Sequence, residues 1–227
     1  MSGGGFFIAG TDTGVGKTRV TSGLLRALAE RGTIATGMKP VASGKILQEG
    51  GLINPDVSMI VSSSALSVTV DEIATYHLDA AVSPHIAASR EGIEIDLERI
   101  ASAYARLASR ASVVLVEGTG GWLAPISDRH TMADVATRLR LPVVLVVGLR
   151  LGCLNHALLT SEAIARSGLP LAGWIGSLLD PTMLELDANL ETLEARLPAA
   201  RLALLPFDPL GSQDRVPLGA AAAALAP

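Results

Sequence analysis

Phe6-Phe7-Ile8-Ala9-Gly10-Thr11-Asp12-Thr13-Gly14-Val15-Gly16-Lys17-Thr18 runs from an apolar segment through a glycine-rich turn into a stretch with helical spacing. Phe6 to Ala9 reads as a buried strand. Val20, Leu24, Leu25 and Leu28 fall on one face of a helix from Thr18 to Arg31, and Gly32 stops it. Strand, glycine turn and helix in that order make a phosphate-binding loop. The glycines let the backbone come close, and the loop amides and helix N-terminus face the anion. In such a loop Lys17 bridges the β- and γ-phosphates, and Thr18 turns its hydroxyl to Mg²⁺. Five residues separate Gly10 from Gly16, one more than in the standard G-x-x-x-x-G-K-[ST] spacing. The strand–loop–helix context therefore carries the assignment, against the alternative of a glycine turn with a surface lysine.

Working outward, further short apolar runs alternate with amphipathic stretches. Ile34–Met38, Val113–Val116, Pro142–Val147, Leu171–Ile175 and Arg201–Leu205 read as strands, with Ile73–His77 as a weak one. Helices are expected over Ser83–Ser89, Asp96–Arg110, Thr131–Leu139, Leu154–Ser167 and Leu184–Leu197. Pro40–Pro55 reads as a loop, with Asp56 capping a short helix after it. Strands without polar alternation, separated by helices, imply a parallel sheet covered by helices on both faces. The expected fold is α/β of the P-loop NTPase type. It forms a single domain over residues 1–227, with 219–227 as a frayed tail.

Of 227 residues, 49% are hydrophobic and 18% charged, which a folded globule requires and a disordered chain lacks. The net charge of −4 comes without a basic stripe, so nucleic acid is not an expected partner. Met1–Gly5 carries no signal-peptide pattern, and no apolar run nears the ~20 residues that span a bilayer. No membrane association is expected. A single cysteine, Cys153, allows no intrachain disulfide and fits a reducing cytoplasm.

Lysine usage sharpens the search. Of 18 basic residues only Lys17, Lys39 and Lys45 are lysines, so surface charge here is arginine by habit. Lys39 follows the second strand and lands at the same sheet edge as the phosphate loop. There a second ammonium would stabilise charge that develops during transfer; the alternative is a solvated strand-end lysine. Glu117 ends the Val113–Val116 strand and is followed by Gly118-Thr119-Gly120-Gly121. A carboxylate at that edge can hold Mg²⁺, or it can merely cap the next turn. Asp56 offers a second metal carboxylate, if it is not simply a helix cap.

Gly10–Thr18, Lys39-Pro-Val-Ala-Ser-Gly44, Ser83-Pro-His85, Val116-Glu-Gly-Thr-Gly-Gly-Trp122 and Gly152-Cys-Leu-Asn-His-Ala157 occur in that order. Together they closely resemble the dethiobiotin synthetases, from residue 6 to about 176. The Lys39–Gly44 and 151–157 stretches are specific within the P-loop superfamily, whereas the phosphate loop is shared widely. The resemblance implies an ATP- and Mg²⁺-dependent cyclo-ligase of biotin biosynthesis that acts on 7,8-diaminopelargonate and CO₂. One amine takes up CO₂, the carbamate oxygen attacks the γ-phosphate, and the neighbouring amine closes the ureido ring as phosphate leaves. It further implies Lys39 and Lys17 as catalytic groups and Thr18, Asp56 and Glu117 around the metal. Gly14, Val15, Gly16, Arg19, Gly118, Thr119, Gly120, Ser177 and Pro206 would join these in contacting the nucleotide. Thr13 and Ser43 would contact the diamine. The family works as a homodimer, and Gly152, Cys153, Leu154 and Asn155 would bind the substrate carboxylate from the partner subunit; the alternative for them is ordinary helix capping.

The chain departs from its relatives at two points. Gly14 stands where some carry an acid. Gly173-Trp174-Ile175-Gly176-Ser177-Leu178 ends without the Asn-Asp of many relatives, in which the asparagine reads adenine, and a serine hydroxyl selects a base less sharply than an amide. Cys153 reads as small buried packing rather than a thiol nucleophile. His77, His85, His130 and His156 lack metal-ligand spacing, and His85 has either a pocket-shaping or a packing role. Trp122 reads as core or pocket wall, Asp12 as loop structure. Two rival readings are a partition-type ATPase acting through protein partners and an ATP-dependent amide ligase of corrin synthesis. The first normally carries a lysine near the start of its phosphate loop, where this chain has Phe7, Ile8 and Ala9. The second requires a glutaminase domain that this chain cannot house.

Overall fold

Seven consecutive apolar or glycine residues, Val143–Leu149, are all buried, so their strand must be covered on both faces. The computed structural model describes residues 4–48, 51–208 and 218–226. In it that strand is one of six in a parallel sheet. In chain order the elements are β1 (Gly4–Gly10), α1 (Lys17–Glu30), β2 (Ala35–Met38), β3 (Val41–Ser43), β4 (Ile46–Gln48), β5 (Gly51–Ile53), α2 (Pro55–Ser63), α3 (Val70–Ile73), β6 (Tyr76–Leu78), α4 (Pro84–Arg90), α5 (Leu97–Ala108), β7 (Val113–Glu117), α6 (Met132–Leu139), β8 (Val143–Leu149), α7 (Cys153–Arg166), β9 (Leu171–Leu178), α8 (Leu186–Arg196), β10 (Arg201–Leu205) and α9 (Gly219–Leu225).

The sheet order is β10-β9-β8-β1-β7-β2. β1 thus lies between β7 and β8, both parallel to it, with Phe6 paired to Leu115 and Ile8 to Val144. Side chains alternate between two cores. Phe7, Val114, Val116, Leu145 and Trp174 pack on one side, and Ile8, Val113, Leu115, Val144 and Ile175 on the other. Each fully buried Val, Leu or Ile contributes roughly 1.5–3 kcal/mol, so the strands hold their register without polar alternation. Among the described residues no helix is long and apolar enough to cross a membrane.

Four local expectations need correction. Pro40–Pro55 is not simply a loop: β3 pairs parallel to β6, and β4 pairs antiparallel to β5. Strands of three residues are too short for a period of two to show. Ile73 ends a helix rather than starting a strand. Thr69 and Glu72 form a capping box, with the Thr69 amide donating to Glu72 Oε2 at 2.8 Å, and the strand begins at Tyr76. The cap of α2 is Asn54, whose Oδ1 accepts from the amides of Asp56 at 3.0 Å and Val57 at 3.2 Å. Asp56 sits in the first turn instead, where the helix dipole favours a negative charge. The stretch expected to fray forms α9. Leu218, Ala221, Ala222 and Leu225 bury a stripe at spacings of 3, 4 and 7 in the core that holds Val20, Leu24 and Leu28 of α1.

Two features aim α2 at the functional edge. A Cβ on Gly37 would stand 2.3 Å from Ile60 Cγ2, so only glycine lets α2 lie directly on β2. Asn54 Nδ2 donates to the carbonyls of Ser43 at 2.8 Å and Gly44 at 3.1 Å, tying the start of α2 to the end of β3. The Asn54 amide in turn donates to His77 Nε2 at 2.9 Å. That bond requires an unprotonated Nε2. Burial, and then the Lys45 charge, hold the His77 pKa below its ordinary 6.5, against the opposing carboxylates of Asp71 and Asp79. The folded chain therefore binds fewer protons than the unfolded one just below pH 6.5, and stability falls as pH drops through that range. His77→Gln keeps an acceptor without titrating. The urea midpoint of the native protein should fall toward that of the variant, or below it, between pH 7 and 5. A midpoint difference that stays constant over that range would refute the linkage.

Candidate functional site

The carboxyl ends of β1, β2 and β7 open on a cavity of about 680 Å³, as expected at a point where neighbouring strands connect in different directions. β1 delivers residues 11–16. Gly16 has φ 90°, in the left-handed region, and lies at the N-cap of α1 with no side chain capping it. The first amides of α1 are thus left to face the cavity. Val15 is buried and is not among the residues that line the cavity. Gly14, at φ 73°, meets nothing within 4 Å of an added Cβ. The space an acid occupies in some relatives is open here, although an L side chain would be strained.

The polar groups converge without any metal-binding histidine or cysteine. Lys39 Nζ, at the end of β2, donates to Asp56 Oδ2 at 2.5 Å and to Glu117 Oε1 at 2.7 Å. Thr18 Oγ1 donates to the same Glu117 oxygen at 2.7 Å. Lys17 Nζ, at the head of α1, donates to the Asp12 carbonyl at 3.0 Å. Asp12 is held by Arg150 at 3.0 Å and caps the Thr13 amide at 2.7 Å. The Thr119 hydroxyl donates to the Val41 carbonyl, tying the loop after β7 to the start of β3.

Burial and pairing decide the two lysines in opposite directions. Burial alone would lower the Lys39 pKa, but the carboxylates of Glu117 and Asp56 outweigh it and the pKa is raised. Burial tends to raise Asp56, yet Lys39 pulls it below the usual carboxylate range. Lys17 is not so compensated: burial, together with the nearby Lys39 charge, brings it down to about 8 despite Glu117 and Asp56. Lys39 is thus locked in its charged state, whereas Lys17 gains from an incoming anion.

These donors fit a hard divalent cation. Thr18, Asp56 and Glu117 present oxygens, and Glu117 Oε2 is buried with no hydrogen-bond partner among the described residues. An orphaned carboxylate oxygen beside a hydroxyl and a second carboxylate is a natural place for Mg²⁺.

The residues singled out from sequence divide into groups. Thr13, Gly14, Gly16, Lys17, Thr18, Lys39, Ser43, Asp56, Glu117, Thr119 and Gly120 line the one cavity. Gly118 is buried, and its amide donates to the Ile8 carbonyl at 3.0 Å. Arg19 and Pro206 are not among the lining residues; Arg19 donates to the Pro206 carbonyl at 2.8 Å. Ser177 is buried behind the phosphate loop, its Oγ 2.9 Å from where a Gly16 Cβ would be. Gly152, Cys153, Leu154 and Asn155 do not line the cavity of their own chain. The Cys153 side chain lies in the core, and its amide donates to the Arg150 carbonyl. Sequence reasoning gave no role to Asn54, Ala81, Val82 or Ala124. The last three line the cavity, and the Ser83-Pro-His85 signal lay beside two of them.

Comparisons with known proteins agree with this architecture. The family described as "AAA domain" matches residues 4–215. The chain is 49% identical over 201 residues to the "ATP-dependent dethiobiotin synthetase BioD" of Aromatoleum aromaticum, covering 88% of this chain and 89% of that protein. It is 48% identical to that of Nitrosospira multiformis, over 90% and 88% of the two chains. It is 46% identical to that of Cellvibrio japonicus, over 94% of each. Among solved structures, the MinD cell division protein of Aquifex aeolicus superposes with TM-score 0.59 at 15% identity, covering 97% of this chain and 94% of the other. A ParA family ATPase of Chlorobium tepidum gives 0.53 at 13%, over 90% and 85%. At such identities the likeness is one of fold alone.

The pairing of Lys39 has a measurable consequence for stability. Lys39→Met leaves Glu117, which has 0% exposure, charged and without its cation. Loss of one partner from a buried pair costs about 3–5 kcal/mol. Urea unfolding at pH 7 should show a loss of that order, and adding Glu117→Gln should recover part of it. A Lys39→Met variant as stable as the native protein would show that the pair contributes nothing.

Proposed function

The chain belongs to the ATP-dependent dethiobiotin synthetase family, and from that premise we propose how its residues divide the work of closing a cyclic urea. The protein is an ATP-dependent ligase of biotin biosynthesis that forms dethiobiotin from the small molecule 7,8-diaminopelargonate. The observation that carries the division of roles is the convergence of Lys17, Lys39, Thr18, Asp56 and Glu117 on one cavity.

In the proposed sequence one amine of the diamine adds CO₂ as a carbamate. A carbamate oxygen attacks the γ-phosphorus, and the bond from that phosphorus to the β-γ bridging oxygen breaks to release ADP. The second amine then attacks the carbamoyl carbon, loses a proton, and phosphate departs. The nucleophile comes from the substrate, so the protein's task is positioning and charge neutralisation. Amides of the 13–18 loop hold the phosphates. Lys17 and Lys39 face the transferring phosphoryl and carbamate oxygens, where their charges count most as negative charge moves. Ser43 and Thr13 contact the diamine. Thr18, Asp56 and Glu117 would hold Mg²⁺, which would supply charge neutralisation for the phosphates. Ser177 and Pro206 border the base.

We place the activity in one domain running the length of the chain, because the sheet draws strands from Gly4 to Leu205 and α9 shares its core with α1. The proposal extends to a homodimer with the substrate at the interface. Leu151 is 93% exposed and Leu159 57%, flanking the Gly152–Asn155 turn that lies outside its own chain's cavity. The lone, buried and unpaired Cys153 supports a cytoplasmic setting.

Phosphate release from ATP should depend strongly on 7,8-diaminopelargonate plus bicarbonate and yield dethiobiotin, and Lys39→Met should lower turnover by roughly a thousandfold. ATP hydrolysis that ignores the diamine and responds to a protein partner would favour a switch ATPase instead. The depressed Lys17 pKa gives a second readout. Its charge is present below about 8 and fades above, so the KM for ATP should rise between pH 7 and 9, with proton uptake on nucleotide binding near pH 8.5. A flat KM over that range would contradict the role given to Lys17.

A further inference from the structure

Residues 81–84 form a wall of the same cavity. β3 and β6 run parallel with Ser43 beside Leu78, so the chain leaving β6 emerges next to the proposed diamine contact. Ser83 follows at the N-cap of α4. A serine there normally gives its oxygen to the helix amides, but the Ser83 side chain makes no such bond. Its Oγ lies 3.0 Å from His85 Nδ1 instead. His85 lines a separate cleft of about 920 Å³ and not the phosphate loop's cavity. Ser83 thus lines the reaction space with its hydroxyl paired to His85 rather than to the helix amides.

We propose that Ser83 accepts a hydrogen bond from an amine of the diamine substrate, and that His85 is the positioning residue that sets its hydroxyl for that contact. The inference rests on the functional reading above and deepens it. A free hydroxyl rotates among partners as donor or acceptor. With the ring proton on Nε2, His85 Nδ1 accepts a hydrogen bond from the Ser83 hydroxyl and leaves the Oγ lone pairs to the cavity. The substrate needs such an acceptor. Only one of its two amines becomes the carbamate, and the other waits with its hydrogens. Lys17 and Lys39 offer donors only. Asp56 Oδ2 and Glu117 Oε1 are held by Lys39, the remaining Glu117 oxygen is assigned to the metal, and the Thr119 hydroxyl is engaged with Val41. Ser83 therefore complements Ser43 as a neutral acceptor on the diamine side.

Steady-state kinetics on the full-length enzyme test this with Ser83→Ala, His85→Phe, His85→Asn and the double variant Ser83→Ala/His85→Phe. Ser83→Ala should raise the KM for 7,8-diaminopelargonate roughly five- to tenfold, the effect of one hydrogen bond, and leave the KM for ATP within about twofold. His85→Phe should show part of that rise. His85→Asn, whose amide can replace Nδ1, should restore most of it, and the double variant should be no worse than Ser83→Ala alone. An unchanged diamine KM in Ser83→Ala, a parallel rise in both KM values, or additive effects in the double variant would overturn the inference. Ser83→Ala removes one oxygen atom and carries the test by itself should His85→Phe fail to fold. A native enzyme that makes no dethiobiotin overturns the functional reading and this inference with it. An active native enzyme with an indifferent Ser83 overturns the inference alone.

Discussion

A buried ammonium held between two carboxylates organises this molecule. Lys39, Asp56 and Glu117 come from the end of β2, from α2 and from β7; Lys39 and Glu117 are buried and each would be costly there alone, while the half-exposed Asp56 adds its charge from the rim. Together they are tolerable only if the three elements meet within hydrogen-bond distance. The fold meets that demand through close packing rather than flexible reach. Gly37 lets α2 rest on β2, Asn54 fixes where α2 begins, and β7 carries Glu117 to the sheet edge beside β1. Stability and the proposed chemistry therefore draw on the same contacts, since the cation that neutralises Glu117 is also the one proposed to meet the migrating charge.

Lys17 completes the arrangement by contrast. It stands on the neighbouring loop, buried and less compensated, with a depressed pKa where its neighbour's is raised. Two lysines in one cavity would repel if both were poorly paired. Giving one of them both carboxylates separates their tasks: Lys39 belongs to the resting architecture, and Lys17 gains its full charge stabilisation only from a phosphate. No nucleophilic side chain is required, which agrees with Cys153 lying in the core.

Much of this could be read from residue order. The phosphate loop announced itself by glycines between an apolar run and a helical period. The central strands were legible because burial on both faces removes polar residues from them altogether. Lys39 stood out against a background of arginine, and Glu117 because a charge closed an apolar run. What escaped depends on contacts between distant segments. Asn54 matters only because the carbonyls of Ser43 and Gly44 come within its reach. The stripe on α9 is hidden because alanine fills both its buried and its exposed faces. The Thr69–Glu72 capping box lay in plain sight but lost to the apolar Ile73 beside it. That Ser177 lies against the phosphate loop, its Oγ 2.9 Å from where a Gly16 Cβ would be, shows only in the folded chain.

The position of β1 between β7 and β8 bears on how the chain is made. Both neighbours lie more than a hundred residues downstream, beginning at Val113 and Val143. A ribosome that has delivered the phosphate loop has made a strand with no lasting partner, and its amides must wait for sequence not yet translated. Pairings this distant close slowly and leave apolar edges uncovered meanwhile. Synthesis of the nascent chain, more than the finished enzyme, is then the stage at which this sheet is exposed to wrong pairing.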